Sequence, residues 1–180
     1  LNVPGYHNVE NVLAAISVTR SFGADDDAIR DGVNSYSGVK RRFEYIIKNE
    51  RVVYIDDYAH HPVEIEAFLT SVRDMYPTKK ITAVFQPHLY TRTRDFAEGF
   101  SSSLSLADEV VMLDIYPARE QAIPGVTSEM ILKKVARDKK VVCRKENLIE
   151  QILDWTPEVV LTIGAGDIDQ LVNPLKEALS

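Results

Sequence analysis

The chain has 180 residues, of which 45% are hydrophobic, and a net charge of −6 at pH 7. This length allows one domain, or one domain with part of another, and the hydrophobic content is enough for a packed core. The negative charge argues against a general nucleic-acid binder, and no apolar run approaches the ~18 residues that span a bilayer. The single cysteine excludes an internal disulfide framework and fits a reducing compartment, so a cytoplasmic location is expected.

Residues 1–37 show a helical pattern in two parts. Asn8 is a candidate N-cap, and the apolar residues after it recur at helical spacing until Gly23. A run of three aspartates then predicts a second helix from about Ala28 to Tyr36. Because two helices without a sheet make a poor independent domain, we expect them to be the end of a larger unit that lies upstream.

A polar break over residues 37–42 marks a predicted boundary, and residues 38–180 form a second unit. It opens with a β-hairpin of strands 43–47 and 51–55, and Pro62 then begins a helix. Further strands are predicted at 81–85, 109–113, 141–143 and 159–163, alternating with helices that include one from about 93 to 106. This alternation predicts an α/β fold with a Rossmann-like, mostly parallel sheet covered by helices on both faces.

Two loops of this unit carry most of the reactive side chains. The first follows the second hairpin strand and reads Asp56-Asp57-Tyr58-Ala59-His60-His61-Pro62, and the second contains His88, Tyr90, Arg92 and Arg94. Loops that leave the carboxyl ends of neighbouring parallel strands converge on one crevice, so we expect one shared site.

The first loop allows three interpretations. Its carboxylates can simply cap the helix that Pro62 begins. A metal site is the second, although adjacent histidines cannot easily turn both rings onto one ion. The third is a catalytic loop in which a neutral imidazole accepts a proton and a carboxylate holds a ribose or a phosphate-bound metal.

The second loop favours an anionic ligand. Cations at the start of a helix oppose the helix dipole, so Arg92 and Arg94 are best explained there if they bind a carboxylate or phosphate. The alternative is a solvated basic helix start.

The remaining candidates are less specific. Asn8 and Asn11 share one helix face, where they can contact an adenine edge or serve only as a cap, and Arg42 closes a basic run that is either a linker or a phosphate clamp. The Gly164-Ala165-Gly166 run is better explained as a tight turn than as a dinucleotide site, and the Walker pattern is absent. Cys143 lies in an apolar run and is expected to be a buried strand thiol.

Several segments, in order along the chain, resemble the Mur ligases of peptidoglycan synthesis. They are Gly5-Tyr6-His7-Asn8-Val9-Glu10-Asn11, then Gly38-Val39-Lys40-Arg41-Arg42-Phe43-Glu44, the Asp56 to Pro62 loop, Gln86-Pro87-His88, Thr91-Arg92-Thr93-Arg94-Asp95 and Ile115-Tyr116-Pro117-Ala118-Arg119-Glu120. The resemblance implies that residues 1–37 are the last helices of a central ATP-binding domain and residues 38–180 a C-terminal Rossmann-like domain.

The later motifs resemble the family member that joins L-alanine to UDP-N-acetylmuramate. This implies an ATP-dependent amide ligase that acts through an acyl phosphate, with Mg²⁺ held mainly in the upstream domain and no metal ligands assigned here. By matching motifs, Asn8 and Asn11 would contact adenine, Arg42 the phosphates, and Asp57 the ribose or the γ-phosphate region. Tyr58, His60, His61, His88 and Arg92 would line the alanine and acyl-phosphate side, with Arg92 on the alanine carboxylate.

One residue departs from the family pattern. Many relatives carry arginine directly after the Gln-Pro-His histidine, where this chain has Leu89, and this leaves Arg92 or Arg94 to bind the alanine carboxylate. Three other functions stay open: a recycling ligase that attaches a tripeptide, a binding module without turnover, and a metal-dependent hydrolase.

Overall fold

A computed structural model describes residues 3–180, except for the side chains of Tyr6 and His7. The α-helices are α1 (Tyr6–Ser21), α2 (Asp26–Ser35), α3 (Pro62–Met75), α4 (Tyr90–Asp95), α5 (Ala97–Leu104), α6 (Ser128–Leu132), α7 (Leu148–Trp155) and α8 (Val172–Leu179). The strands are β1 (Glu44–Lys48), β2 (Val53–Asp57), β3 (Ile81–Phe85), β4 (Glu109–Met112), β5 (Lys140–Val142) and β6 (Val159–Ile163). Short 3₁₀ turns precede α7 (Lys145–Asn147) and α8 (Asp167–Leu171).

The six strands form one sheet in the order β1-β2-β6-β3-β4-β5. The pairs from β2 to β5 are all parallel, and β1 joins β2 antiparallel through the predicted hairpin. The predicted fold class is therefore confirmed. Because β6 is inserted between β2 and β3, the loops after these three strands meet at the carboxyl edge of the sheet, where ligands bind in open α/β folds.

Apolar helices cover both faces of the sheet. On one face α3, α5 and α6 bury a cluster that includes Phe68 and Phe100, and on the other α7 and α8 bury one that includes Ile152 and Leu175. The central strands are buried along their whole length, which explains why they read as continuous apolar runs. Across the described residues, no helix is both long and apolar enough to cross a membrane.

The predicted helix over 93–106 is wrong in its extent and continuity. The chain forms α4 from Tyr90 and then α5 from Ala97, with a break at Phe96. The ring of Phe96 packs against His61 at 4.7 Å, a tertiary contact that local periodicity does not encode. Both arginines consequently lie in the last turn of α4, where the dipole favours cations, so the dipole argument for an anion does not hold.

The expected cap of the first helix is also wrong. Gly5 precedes α1, and Asn8 lies inside its first turn, where its side-chain amide donates to the Pro4 carbonyl at 2.6 Å. The end of this helix is as predicted, because Gly23 follows it with a φ of 86° that glycine adopts at little cost. Asp25 caps α2 by accepting from the Ala28 N–H at 2.7 Å.

Candidate functional site

Asp57 fixes the loop that leaves β2. Its two carboxylate oxygens accept hydrogen bonds from the backbone N–H groups of Phe43 and Ala59, at 2.7 and 2.8 Å. Burial raises the pKa of Asp57, and the two N–H groups oppose that rise. The carboxylate thus holds a turn, while each oxygen retains a further lone pair for a ligand.

Arg41 belongs to an internal hydrogen-bond network around Asp56. The guanidinium Nε lies 3.2 Å from the Asp56 carboxylate, and one of its amino groups donates to the Gly164 carbonyl at 2.6 Å. Thr162 donates its hydroxyl to the same carboxylate at 2.5 Å, and Asp56 is only 1% exposed. Burial raises the pKa of Asp56, which Thr162 and Arg41 counteract. Since Arg41 also lies 5.0 Å from the Tyr58 ring centroid, it joins the first loop to the end of β6.

The adjacent histidines have different surroundings. Nδ1 of His60 lies 3.1 Å from the Tyr58 carbonyl oxygen and 3.3 Å from the Glu64 carboxylate. That carboxylate also accepts the backbone N–H groups of His60 and His61, at 2.9 and 3.1 Å, in the first turn of α3. The His61 ring packs on Phe96 instead. The helix-cap interpretation is wrong for the two aspartates, because Asp57 accepts from Phe43 and Ala59, and Asp56 from Arg41 and Thr162. Glu64 bonds the start of α3 instead, and sequence reasoning missed it although an acid three residues after a helix N-cap is a known signal.

The second loop places His88 between an aromatic ring and a cation. The imidazole stacks on Tyr116 with 5.6 Å between ring centroids, and its Nδ1 lies 3.5 Å from Nη1 of Arg92. Burial lowers the pKa of His88, and the charges of Arg92 and His60 lower it further. His88 is therefore held as a neutral ring near neutral pH.

Glu120 holds the start of α4 in place. Its carboxylate accepts from the Thr91 N–H at 3.0 Å and from the Thr91 hydroxyl at 2.5 Å, and these bonds lower the pKa of Glu120. Arg92 thereby projects from a turn that is tied to the β4–α6 loop. Arg94, by contrast, is exposed and bonds to Asp95 at 2.7 Å.

A cavity of about 830 Å³ lies between the α1–α2 pair and the first loop with α3. Its walls contain all four residues expected to contact the nucleotide, together with two from the alanine side: Asn8, Asn11, Arg42, Asp57, Tyr58 and His60. His61, His88 and Arg92 do not line it. The structure therefore brings the nucleotide candidates into one cavity and places the second loop beside it, with His88 close enough to His60 for an electrostatic interaction between the two rings.

The glycine run after β6 allows Gln86 and Tyr116 to pack closely against the backbone. A Cβ at Gly166 would collide with the Gln86 side chain and the Tyr116 ring. Gln86 is buried and its amide oxygen accepts from the Ile168 N–H at 3.0 Å, so the turn is locked to β3. Cys143 is buried just after β5, and burial raises the pKa of its thiol.

Among residues 3–180, apart from the side chains of Tyr6 and His7, no three or more His, Cys, Asp or Glu residues are arranged to hold a metal ion.

Comparison with known proteins gives the family. A family described as Mur ligase, glutamate ligase domain matches residues 41–166. A UDP-N-acetylmuramate–L-alanine ligase of Flavobacterium johnsoniae is 48% identical over 99% of this chain and 40% of its own length. One from Porphyromonas gingivalis is 50% identical, again over 99% of this chain and 40% of its own length.

A solved structure agrees with this match. The UDP-N-acetylmuramate–alanine ligase of Thermotoga maritima is 32% identical and superposes with a TM-score of 0.79, covering 98% of this chain and 38% of that one. The chain thus spans about 40% of the length of the curated relatives that it matches. Since the family match extends over more than half of the chain and the fold agrees with it, the chain belongs to the Mur ligase family.

Proposed function

We propose that this chain is the C-terminal part of an ATP-dependent ligase that joins L-alanine to UDP-N-acetylmuramate through an acyl phosphate in peptidoglycan synthesis. Residues 1–37 would close its central ATP-binding domain, and residues 38–180 would form the domain that brings the amino acid. The relatives compared above, which carry this name, support the proposal. The observation that supports it most is the 830 Å³ cavity, whose lining includes the four nucleotide candidates together with Tyr58 and His60 of the first loop.

The cavity fits an adenine nucleotide in size and chemistry. Small-molecule sites occupy about 300–1,000 Å³ and are mostly apolar with a few polar groups. Apolar side chains such as Ile16 and Phe68 line this one, and the amides of Asn8 and Asn11 can read the base edge. Arg42 forms no ion pair with a carboxylate among the described residues and is available for phosphate.

ATP supplies the phosphoryl group that activates the muramate carboxylate, and we assign its Mg²⁺ mainly to the upstream domain. The residues of this chain would bind and orient the reactants: Asp57 holds the loop at the nucleotide, and Tyr58 and the histidines face the amino acid side. Catalysis of this kind depends on positioning and on charge stabilisation more than on a protein nucleophile.

Arg92 is the proposed partner of the alanine carboxylate. Among residues 3–180 no carboxylate lies within ion-pair distance of it, whereas the neighbouring Arg94 already bonds to Asp95. With Leu89 in place of the family arginine, Arg92 would carry this contact without that neighbour. A guanidinium can hold a carboxylate through two parallel hydrogen bonds, which fixes the orientation of the amine as well.

The test is phosphate release by the full-length protein, given ATP, magnesium and UDP-N-acetylmuramate, with each amino acid added in turn. Release that depends on L-alanine supports the proposal. Release with a tripeptide but not with alanine would move the protein to the recycling branch of the family. No release with any acceptor would contradict the ligase proposal and favour a binding module.

A further inference from the structure

The surroundings of His60 determine which of its ring nitrogens carries the proton. Nδ1 lies 3.1 Å from the Tyr58 carbonyl oxygen and 3.3 Å from a Glu64 carboxylate oxygen. Both oxygens can only accept a hydrogen bond. A neutral imidazole has one N–H donor and one acceptor nitrogen, so the proton of neutral His60 belongs on Nδ1 and Nε2 is left as the acceptor.

His88 has the opposite arrangement. The nitrogen near its Nδ1 is Nη1 of Arg92, at 3.5 Å, and a guanidinium can only donate. Nδ1 of His88 is thus the acceptor, and Nε2 carries the proton. Of these two rings, His60 is the one that offers Nε2 as a base. His61 is used differently, since its ring packs on Phe96.

Resting on the proposed ligase function, we propose that Nε2 of His60 takes the proton of the attacking L-alanine amine, and that Glu64 is the positioning residue that fixes the required tautomer. In this step the nitrogen lone pair forms the new C–N bond to the activated carboxyl carbon. The C–O bond to phosphate breaks, and its electron pair leaves with the phosphate. One proton of the amine nitrogen passes to Nε2, which makes His60 an imidazolium.

The charged and titratable groups around His60 are compatible with this role. Glu64 faces it from α3, Tyr58 from its own loop with Arg41 behind the phenol ring, and His88 from the loop after β3. The Glu64 carboxylate beside Nδ1 stabilises the imidazolium that forms, as an orienting carboxylate does for other catalytic histidines.

The tautomer is measurable without any turnover. Imidazole nitrogen and carbon shifts of the 180-residue chain distinguish the two neutral forms, and its four histidines can be assigned by single substitutions. We expect His60 to be mainly the Nδ1–H form, and Glu64→Gln to raise the fraction of the other form. Glu66→Gln, which removes an exposed charge from the same helix, should leave the His60 signals unchanged. A His60 that is mainly Nε2–H, or signals that ignore Glu64→Gln, would overturn the proposal.

Kinetics of the full-length ligase test the catalytic consequence. We expect His60→Ala to lower kcat by about 10²–10⁴-fold, the usual contribution of a general base, and added imidazole to restore part of it. Glu64→Gln should lower kcat by roughly tenfold and shift the acid limb of the pH profile, with the alanine KM changed less than about twofold.

A Glu64→Gln profile identical to that of the unaltered enzyme, or a His60→Ala variant that keeps full kcat, would contradict the inference. Absence of alanine-dependent release by the unaltered enzyme is instead a failure of the proposed function, and the spectra of the chain still decide the tautomer.

Discussion

At the scale of single residues, Arg92 gives the most direct test of the substrate side. Truncating it to alanine should remove a charged hydrogen-bonding contact that is worth about 2–4 kcal/mol. The KM for L-alanine in the full-length enzyme should then rise by roughly 30- to 900-fold, with a smaller change in the KM for ATP. Steady-state phosphate release at varied alanine concentration measures both.

Arg94→Ala is the matched control, because this exposed arginine is engaged by Asp95 and lies two residues away on the same short helix. It should leave the alanine KM within about twofold. An unchanged KM in Arg92→Ala, or an equal rise in Arg94→Ala, would remove Arg92 from the carboxylate role.

The lowered pKa of His88 predicts how the free energy of unfolding depends on pH. Burial and the Arg92 charge lower its pKa, so the folded chain takes up this proton at a lower pH than the unfolded chain, whose histidine titrates near 6.5. Between those two values the unfolded state binds more protons, and the free energy of unfolding should fall as the pH is lowered. An NMR titration should give His88 a pKa below 6.5 that rises in Arg92→Ala. A pKa at or above 6.5 would show that the ring is not held neutral as described.

At the scale of elements, the two hydrogen bonds from Thr91 to the Glu120 carboxylate form a clamp that should fix the position of α4. Glu120→Ala removes two acceptors from the first turn of a six-residue helix, and that helix carries Arg92. We expect the alanine KM of the full-length enzyme to rise by about tenfold, because the turn that carries Arg92 loses its fixed position. The melting temperature should change little, because the clamp lies outside both buried clusters.

The control for this clamp is Gln121→Ala, which alters the next, exposed residue of the same loop. The alanine KM of Glu120→Gln should lie between those of Glu120→Ala and Gln121→Ala, since an amide oxygen can still accept from Thr91. If Glu120→Ala unfolds the chain, or if Gln121→Ala has the same kinetic effect, the clamp is not what positions Arg92.

The helices and strands also show which parts of the fold could be predicted from the sequence. The buried central strands and their alternation with helices were predictable, because uninterrupted apolar runs between turn residues are local signals. The two loops at the carboxyl edge followed from topology. What sequence reasoning missed are partners far apart along the chain: the bond from Arg41 to Gly164 joins residues 123 apart, and Thr91 and Glu120 are 29 apart. No periodicity records such pairs, and the break at Phe96 depends on a ring contact of the same kind.

At the scale of the whole molecule, the cavity has two walls from different parts of the chain. Helix α1 supplies Asn8 and Asn11, and the loop after β2 supplies Asp57 and Tyr58. Helix α2 buries no residue within this chain. A ligand that contacts both walls would join the helical pair to the loop after β2, and its binding would depend on both.

Hydrogen exchange tests this coupling in the full-length protein. A non-hydrolysable ATP analogue should slow backbone exchange in α1 and in residues 57–64 together, while α7 and α8 on the far face stay unchanged. Asn11→Ala should weaken binding of the analogue by about tenfold or more and reduce protection on both walls, because an unpaired or lost polar contact costs about 1–3 kcal/mol. Glu10→Gln, an exposed neighbour that does not line the cavity, is the control. Protection confined to one wall, or an Asn11→Ala variant that binds normally, would show that the nucleotide does not occupy this cavity, since a ligand there must touch α1 and the loop after β2 at once.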